Sequence, residues 1–290
     1  LFFLFFTFDL KKAFHLKYLF DRAINYYKNF NLSDVKRSER EDFPVERQIK
    51  MAENGKKLVR YAYILDVVDK KKLELSDFYY SYNLDKIKGK FLRKHESLKT
   101  RYDRRNEKHP IMFVSEGNDK LVFSSYGKWG RTGLDIYFAD RKSDGKWGDP
   151  YKLPHTINTD EDDAYAYLHP DGKRLYFSSK GHNSMGGYDL FVSVYNDKLK
   201  QWREPLNLDF PVNSPLDDIL YVNDSLNNYA VFASNRNSEH PNLGVYKIKT
   251  RGEEFEKEII FICCCSCSCS YFSFRLFRRC FKRSCSGGQS

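Results

Sequence analysis

Cysteine is absent from the body of this chain. All seven cysteines lie after residue 262, so residues 1–262 can form neither a disulfide nor a thiolate metal site. Domains without cysteine occur both in exported and in cytosolic proteins, and this absence therefore leaves the compartment open. Methionine is also scarce, with three residues, whereas the chain has 21 tyrosines and 24 phenylalanines. Aromatic rings pack well on pleated sheets, so we expect a mainly β fold in which helices are a minority.

The chain also lacks an apolar run that is long enough to cross a bilayer at its start. Residues 1–8 are apolar except for Thr7, but they are too few to span the hydrocarbon core, and no basic stretch precedes them. This run is consistent with the remnant of a signal-peptide core and equally with an arbitrary fragment end. We expect a protein that does not span the membrane.

A basic face over the repeated region is missing as well. The whole chain has a net charge of +10, but residues 110–250 hold 16 basic and 19 acidic residues. A groove that binds phosphates needs lysine and arginine clustered on the folded surface. We therefore expect no nucleic-acid partner.

Residues 1–59 contain two amphipathic segments. The first follows the helical spacing i, i+3, i+4, i+7 from Leu16 to Tyr27, and the second follows it from Val45 to Val59. These segments predict a helical hairpin, and residues 23–30 resemble the second helix of a tetratricopeptide unit. Both a hairpin packed on the main domain and part of a longer helical array agree with the pattern. Residues 60–109 are interpreted as a connector in which strand-like runs, 61–68 and 78–84, supply possible extra strands.

The most informative feature is a repeat of about 54 residues. Phe123, Phe177 and Phe232 are separated by 54 and 55 residues, and each lies near the end of a strand-like phrase that closes in serine. The repeat divides the region into units 111–163, 164–218 and 219–250. Other landmarks recur at the same step: Asp135 with Asp189, Trp147 with Trp202, Pro150 with Pro205, Asn158 with Asn213, and Asp162–Asp163 with Asp217–Asp218. A fixed period of this length with short strands is typical of radially repeated β architectures.

Each unit has room for four strands. In the second unit, residues 164–168, 173–179, 189–195 and 202–208 are interpreted as successive strands, and Asp171-Gly172 supplies a hairpin turn between the first two. The expected fold class is therefore mainly β, a partial β-propeller of three to four four-stranded antiparallel blades with an N-terminal α-helical hairpin. Three blades do not close a ring, because propellers have four to eight.

The string Pro-Asp-Gly-Lys-Arg-Leu-Tyr-Phe-Ser-Ser, followed by Gly-Gly-Tyr-Asp-Leu-Phe, resembles the TolB-type, WD-like propeller repeat. The longer unit, which closes in Trp-x-x-Pro-x-x-Leu, is similar to bacterial envelope proteins that combine tetratricopeptide-like helices, this propeller and an OmpA-type domain. The resemblance implies a periplasmic, outer-membrane-associated scaffold. Two departures are that Gly244 stands where the other units have aspartate, and that no OmpA-type domain follows. We expect the chain to be truncated.

The recurring carboxylates admit two interpretations. Propeller glycosidases place acid and base carboxylates at a central pocket. Here the aspartate pairs recur at the repeat period, whereas an acid and its partner base need different surroundings. We therefore interpret Asp163 and Asp218 as residues that cap turns, and Phe123, Phe177, Phe232, Asp135, Asp189, Trp147 and Trp202 as structural positions of the repeat. Calcium binding by the same aspartates, with Asn158 and Asn213, lacks EF-hand spacing.

No metal or cofactor is expected. His155, His169 and His182 fall in separate loops without the spacing of metal ligands. The run of cysteines from Cys263 could chelate soft metals, but its low complexity and flanking arginines favour a disordered or spurious tail over residues 251–290.

The sequence thus predicts a protein that is not an enzyme. We expect a non-catalytic binding or scaffold module of the bacterial cell envelope, whose propeller faces and loops bind protein or envelope components. The alternative is a fragment of a propeller-containing hydrolase, either a glycosidase or the gating domain of a peptidase.

Overall fold

The computed structural model describes residues 12–82, 87–107, 110–130, 132–238 and 242–250. The apolar run 1–8 and the cysteine-rich tail lie outside the described residues. The fold is mainly β, with three antiparallel sheets and N-terminal helices. In the part of the chain that is described, no helix is long and apolar enough to cross a membrane.

The two predicted amphipathic segments form helices that pack against each other. Helix α1 spans Phe20–Lys28 and helix α2 spans Val45–Leu58. The first helix begins later than its apolar spacing predicts, because Tyr18 has a φ of 60° and separates α1 from a helical stretch over residues 12–16. The shared core of the hairpin is apolar and buried, and includes Phe20, Ala23, Tyr27, Phe30, Val35, Phe43, Val45 and Ala52.

The segment between the hairpin and the repeats contains one strand of eight residues and a shorter one. Strand β1 spans Val67–Glu74 and strand β2 spans Gly89–Arg93. The prediction of a strand over residues 78–84 is wrong, because Phe78–Ser81 forms a 3-10 helix whose ring Phe78 is fully buried. The predicted strand at 61–68 is displaced, since only its last two residues belong to β1.

The first sheet has the strand order β2–β3–β4–β5–β6. Its remaining strands are β3 (Ile111–Ser115), β4 (Lys120–Ser125), β5 (Asp135–Asp140) and β6 (Tyr151–Lys152). A short helix, α3 (Arg101–Asn106), lies between β2 and β3. Thr100 and Asp103 form a capping box that fixes the start of this helix, each side chain accepting the backbone N–H of the other residue.

The second sheet repeats the arrangement of the first. Its strands are β7 (Asp163–Leu168), β8 (Arg174–Ser179), β9 (Asp189–Asn196), β10 (Gln201–Trp202) and β11 (Leu206–Asn207). Strands β10 and β11 both pair with β9, so the single fourth strand predicted over residues 202–208 is in fact two short strands. Pro205, which lacks a backbone N–H, lies between them.

The third sheet includes a strand from outside the repeats. It has the order β1–β14–β13–β12, in which β12 is Asp218–Asn223, β13 is Tyr229–Ser234 and β14 is Asn242–Lys249. Strand β1 pairs antiparallel with β14 and takes the edge position that β6 occupies in the first sheet. A strand of the connector therefore completes the last sheet.

The three repeated phenylalanines occupy equivalent buried positions. Phe123 pairs across the ladder with Tyr137, Phe177 with Phe191, and Phe232 with Tyr246. The three rings of the repeat are 4%, 0% and 0% exposed, and each stacks on its aromatic partner. The sequence repeat therefore reflects one packing unit that is built three times.

The helical hairpin packs on a loop of the second sheet. His15 Nε2 lies 2.5 Å from the carbonyl oxygen of Met185, and Asn54 Nδ2 donates to the carbonyl of Ser184 at 3.1 Å. Arg47 forms an ion pair of 3.1 Å with Glu161. The helices are thus attached to the β region at this loop.

Candidate functional site

A cavity of about 840 Å³ lies where the three sheets meet. Most of the lining residues come from equivalent places in the three repeat units. They lie at the start of the first strand of the unit (β3, β7 or β12), in the loop after the second strand (β4, β8 or β13) and next to the start of the third (β5, β9 or β14). The lining includes Ile111 and Tyr126 from the first sheet, Tyr165 and Tyr188 from the second, and Ile219 and Arg236 from the third. Its volume falls in the range of sites that bind small molecules or side chains.

Two equivalent aspartates line the cavity, and each pairs with the residue that lies 18 positions later. Asp162 accepts a hydrogen bond of 2.8 Å from Lys180 Nζ. Asp217 accepts one of 3.1 Å from Asn235 Nδ2 and donates its backbone N–H to Asn235 Oδ1. The ion pair of the second sheet is therefore replaced by a neutral amide in the third.

These same aspartates connect neighbouring sheets. The backbone N–H of Leu134 donates to Asp162 Oδ1 at 2.9 Å, and the N–H of Tyr188 donates to Asp217 Oδ1 at 3.0 Å. Leu134 directly precedes β5 of the first sheet, and Tyr188 directly precedes β9 of the second. Burial opposes ionisation of Asp162, but the hydrogen bonds from Lys180 and Leu134 outweigh it and lower the pKa of this carboxyl.

The second aspartate of each pair is buried behind the cavity lining. Asp163 Oδ2 accepts from the backbone N–H of Thr159 at 2.6 Å and from its hydroxyl at 2.9 Å. Asp218 Oδ2 accepts in the same way from Ser214, at 2.6 and 2.8 Å. Both aspartates therefore bind a loop residue four positions earlier, which is the contact expected of turn-capping side chains.

The electrostatic surroundings of these two carboxyls differ. Asp163 is fully buried, and burial raises its pKa to about 7 although hydrogen bonds from Ser179 and Thr159 oppose the shift; the nearby carboxylate of Asp135 adds a smaller increase. Asp218 forms an ion pair with Arg236, but burial still raises its pKa. Neither carboxyl is among the residues that line the cavity.

Asn158 and Asn213 hold the third strands from the following loop. Asn213 Oδ1 accepts from the N–H of Leu190 at 2.7 Å, and its Nδ2 donates to the carbonyl of Leu190 at 2.9 Å. Asn158 makes the same pair of bonds to Ile136, at 2.7 and 3.1 Å. Since these amides are engaged with the backbone of the sheets, they are structural side chains.

Asp135 and Asp189 begin the third strands and are also buried. Asp135 Oδ2 lies 2.7 Å from Lys152 Nζ. Asp189 Oδ2 accepts from the N–H of Met185 at 3.0 Å and from Asn207 at 2.9 Å. Burial raises the pKa of Asp189 well above its ordinary value. In the third sheet the equivalent position is Gly244, which pairs with Ser234 in the same register.

The two tryptophans of the repeat occupy equivalent places after the third strands. Trp147 forms an isolated β-bridge with Arg141, and Trp202 of β10 pairs with Tyr195 of β9. The Trp202 ring lies 6.2 Å from the ring of Phe138, which belongs to the first sheet. It therefore fills space between two neighbouring sheets.

A buried ionic cluster supports one wall of the cavity. Lys94 Nζ lies 3.2 Å from Asp103 Oδ2 and 2.5 Å from Glu107 Oε2, and it donates to the carbonyl of Ser124 at 2.6 Å. The side chains of Lys94 and Asp103 are fully buried. Burial raises the pKa of Glu107 to about 7 although Lys94 opposes the shift. The cluster fixes α3 against the end of β4.

The histidines named from sequence lie apart from one another. His155 is exposed, His169 lies 3.2 Å from Asp171, and His182 Nε2 faces the carbonyl of Ile157 at 3.0 Å. In the described ranges no group of three or more potential ligands is arranged to hold a metal. The cysteine cluster falls outside those ranges.

The cavity tyrosines were missed by sequence reasoning. Tyr126, Tyr165 and Tyr188 do not recur in the repeat, and Leu220 stands where Tyr165 has its equivalent in the third unit. The available signal was this departure from the repeat, since structural positions recur in each unit whereas residues specific to a site need not.

Comparisons with protein-family models, with curated protein sequences and with solved structures found no match. The class of the protein is therefore defined by its own geometry. Its described residues form three antiparallel sheets, which recurring polar residues link and which surround a cavity at their meeting point.

Proposed function

We propose that the protein is a non-catalytic binding module whose three sheets are the blades of a partial β-propeller. The arrangement is supported by three sheets with equivalent registers and by two junctions, from the first sheet to the second and from the second to the third, that use the same aspartate and asparagine bonds. The TolB-type repeat resemblance further supports a scaffold of the bacterial envelope, with a periplasmic location and protein or envelope components as partners.

The observation that carries this proposal is the engagement of the recurring polar side chains in the fold. Asp163 and Asp218 bind loop residues, while Asp162 and Asp217 accept backbone N–H groups of the preceding sheet. A side chain that holds the scaffold in the same way in both units that contain it has a structural reason to recur. We propose the cavity as the binding site, because its tyrosines do not recur in the repeat and so lack this structural reason to be present.

One observation favours the hydrolase alternative, and another opposes it. Asp135 and Asp163 form a carboxyl pair, and the raised pKa of Asp163 suits a general acid. However, these residues are 2% and 0% exposed and do not line the cavity. A catalytic acid has to reach its substrate, and we therefore propose that this pair is structural.

An exposed aromatic residue close in sequence to a cavity residue supports a binding face. Trp129 lies three residues after the cavity residue Tyr126 and is 64% exposed. Large aromatic side chains dominate the energetics of protein interfaces. We propose that Trp129 contacts the partner at the rim of the cavity.

The proposal is tested by combining activity and binding measurements. The protein is incubated with a panel of oligosaccharides and short peptides, and both product formation and binding are measured. We expect binding without turnover, and weaker binding in Trp129→Ala. Leu199→Ala is the matched control, since Leu199 is equally exposed, at 64%, but lies in the turn before β10. Turnover that disappears in Asp163→Asn, with unchanged stability, would contradict the proposal.

A further inference from the structure

We infer that the cavity binds a cationic side chain, the ammonium group of a lysine or the guanidinium group of an arginine, presented by a partner polypeptide. This inference rests on the proposed binding function and adds the chemistry of the ligand. It follows from three features of the cavity: its aromatic surfaces, the backbone that positions one of them, and its balance of charge.

The aromatic surfaces come from Tyr126, Tyr165 and Tyr188. The rings of Tyr165 and Tyr188 lie 5.6 Å apart at an interplanar angle of 84°, so that the edge of one ring meets the face of the other. The faces of such rings carry negative potential and attract cations. The cavity already contains one example, because Lys180 Nζ lies 4.5 Å from the centre of the Tyr188 ring.

The backbone of β7 is distorted where it places Tyr165. This residue has a φ of 52°, and the pairing register of β7 with β8 shifts between Ala164 and Tyr167. Leu220 has the same φ at the equivalent shift in β12, but it is fully buried. A non-glycine residue in this conformation is strained, and bulges of this kind redirect side chains near functional sites. In the second sheet the redirected side chain is a tyrosine that lines the cavity.

The charges around the cavity leave one carboxylate without a cationic partner. Asp162 is neutralised by Lys180, and the guanidinium of Arg236 is paired with Asp218. Asp217 accepts hydrogen bonds only from neutral groups in the part of the chain that is described, namely Tyr188 N–H and Asn235. A cation that enters the cavity therefore gains the attraction of Asp217 as well as that of the rings.

The pKa values of the tyrosine hydroxyls show the influence of the same carboxylates. Burial raises the pKa of Tyr165, and the carboxylates Asp217, Glu107 and Asp162 raise it further. Burial and then Asp162 also raise the pKa of Tyr188. These hydroxyls stay neutral, and a neutral ring with carboxylates nearby is suited to an ammonium or guanidinium group.

The size of the cavity indicates a polypeptide as the source of the cation. A volume of about 840 Å³ exceeds the needs of one ammonium group and admits a long side chain with part of its backbone. Trp129, which is exposed and lies three residues after the cavity residue Tyr126, offers a partner chain a further contact. A side chain that reaches inward from a bound chain uses both features.

The full-length chain is titrated with three probes by nuclear magnetic resonance: acetyl-Gly-Lys-Gly-amide, the same peptide with norleucine in place of lysine, and n-butylammonium chloride. We expect the lysine peptide to bind about tenfold more tightly than the norleucine peptide, as one ion pair with a carboxylate in a partly buried site provides. n-Butylammonium should bind more weakly than the lysine peptide, and tighter binding of the free amine would overturn the polypeptide source.

Variants assign the effect to the cavity. Tyr165→Leu introduces the residue that the protein itself has at the equivalent bulge, and it should weaken lysine-peptide binding about fivefold, whereas Tyr165→Phe should restore it because the ring returns. Asp217→Asn keeps an oxygen acceptor for Tyr188 N–H and should weaken the lysine peptide but not the norleucine peptide. Tyr229→Leu, at a tyrosine of β13 outside the cavity lining, should change neither affinity.

The outcomes separate this inference from the proposed function. Equal affinities for the lysine and norleucine peptides would overturn the cationic ligand and leave a binding module with another specificity. Binding of none of the peptides, with the panel test also negative, would overturn both. If Tyr165→Leu loses both affinity and folded structure, Asp217→Asn decides the question. The inference then requires that Asp217→Asn weakens binding of the lysine peptide and leaves binding of the norleucine peptide unchanged.

Discussion

At the scale of single residues, two equivalent aspartates have different electrostatic roles. Asp163 and Asp218 cap loops of the same geometry, but only Asp218 has an arginine partner, Arg236. Asp163 instead faces Asp135, and its pKa is raised to about 7 from an ordinary value of 3.8. The folded state therefore holds a proton on Asp163 between these two pH values that the unfolded chain has released. The contribution of this group to stability falls as the pH rises from about 4 to about 7.

The substitution Asp163→Asn tests this electrostatic cost. Asparagine retains an oxygen for Thr159 and cannot ionise, so its stability relative to the wild type should rise by about 2.7 kcal/mol between pH 5 and pH 8, because the folded-state pKa of about 7 lies two pKa units above pH 5. The free energy of unfolding is measured by denaturation at both pH values. A difference that does not change with pH would contradict the raised pKa.

The equivalent substitution Asp218→Asn serves as a comparison with the opposite result. It removes the carboxylate that faces the largely buried Arg236, and such a loss costs about 3 kcal/mol or more because a charge is left without its partner. The destabilisation should be present at both pH values. A cost close to zero at pH 8 would show that the Arg236 ion pair contributes nothing to the fold.

The cluster of Lys94, Asp103 and Glu107 makes a second prediction at this scale. Lys94→Met removes the cation between two buried carboxyls and should cost about 3 to 5 kcal/mol, as breaking a buried ion pair does. Lys146→Met is the control, because the side chain of Lys146 is 82% exposed and its loss should change stability by less than about 0.5 kcal/mol. Thermal denaturation of both variants measures the difference, and equal stabilities would show that the cluster is not important for folding.

At the scale of elements, the sequence of β1 does not indicate that these residues form a strand or which strand they pair with. Its residues Val67–Glu74 include three consecutive lysines and are almost all exposed, so they lack the alternation by which strands are recognised. Charged residues of this kind protect an exposed sheet edge from pairing with other chains. The strand is held instead by its ladder with β14, a contact that only the tertiary structure reveals.

The repeat made the other elements accessible to prediction. The turn at Asp171-Gly172 and the recurring Phe177 located the first three strands of the second unit to within a few residues. Phe177 is a packing position that appears in every copy of the repeat. The cavity could not be predicted in the same way. Its tyrosines differ between units, and the register shift at Tyr165 belongs to the pairing of β7 with β8, which is a feature of the folded sheet.

The pairing of β1 with β14 is tested by a disulfide. Glu74 lies opposite Asn242 in the ladder, so Glu74→Cys with Asn242→Cys should form a disulfide under mild oxidation, because directly opposed residues are close enough for one. Proteolysis and mass spectrometry identify the linked peptides separately from those of the native cysteines. Asp69→Cys with Asn242→Cys is the control, since these positions are five residues out of register; a disulfide in the control alone would contradict the register.

At the scale of the whole molecule, the sheets are connected by side chains that belong to the loops between them. Asn213 lies in the chain that leads to the third sheet but binds the backbone of Leu190 in the second. Asp217 likewise binds the backbone of Tyr188. The first and second sheets therefore each depend on the following segment for part of their hydrogen bonding, and we expect the sheets to unfold together.

Asn213→Ala tests this dependence. The substitution leaves the N–H and the carbonyl of Leu190 buried without these partners and should cost about 2 to 4 kcal/mol. Asn228→Ala, at an exposed asparagine in the turn before β13, is the control and should be nearly neutral. Tryptophan fluorescence follows the first two sheets, which contain Trp147 and Trp202, and circular dichroism follows all three. Coincident midpoints support cooperative unfolding, and separate midpoints would contradict it.

The strand of the third sheet that comes from outside the repeats also sets the order in which the molecule can assemble. Strand β1 leaves the ribosome early, but its partner β14 follows about 170 residues later. Bringing such distant segments together carries a large loop-closure entropy, and contacts of high sequence separation slow folding. The first two sheets contain mostly local hairpins and can form during synthesis, whereas the third acquires its edge only after residue 249 has emerged. During that interval β1 lacks its partner strand, and its lysines oppose pairing of β1 with other chains.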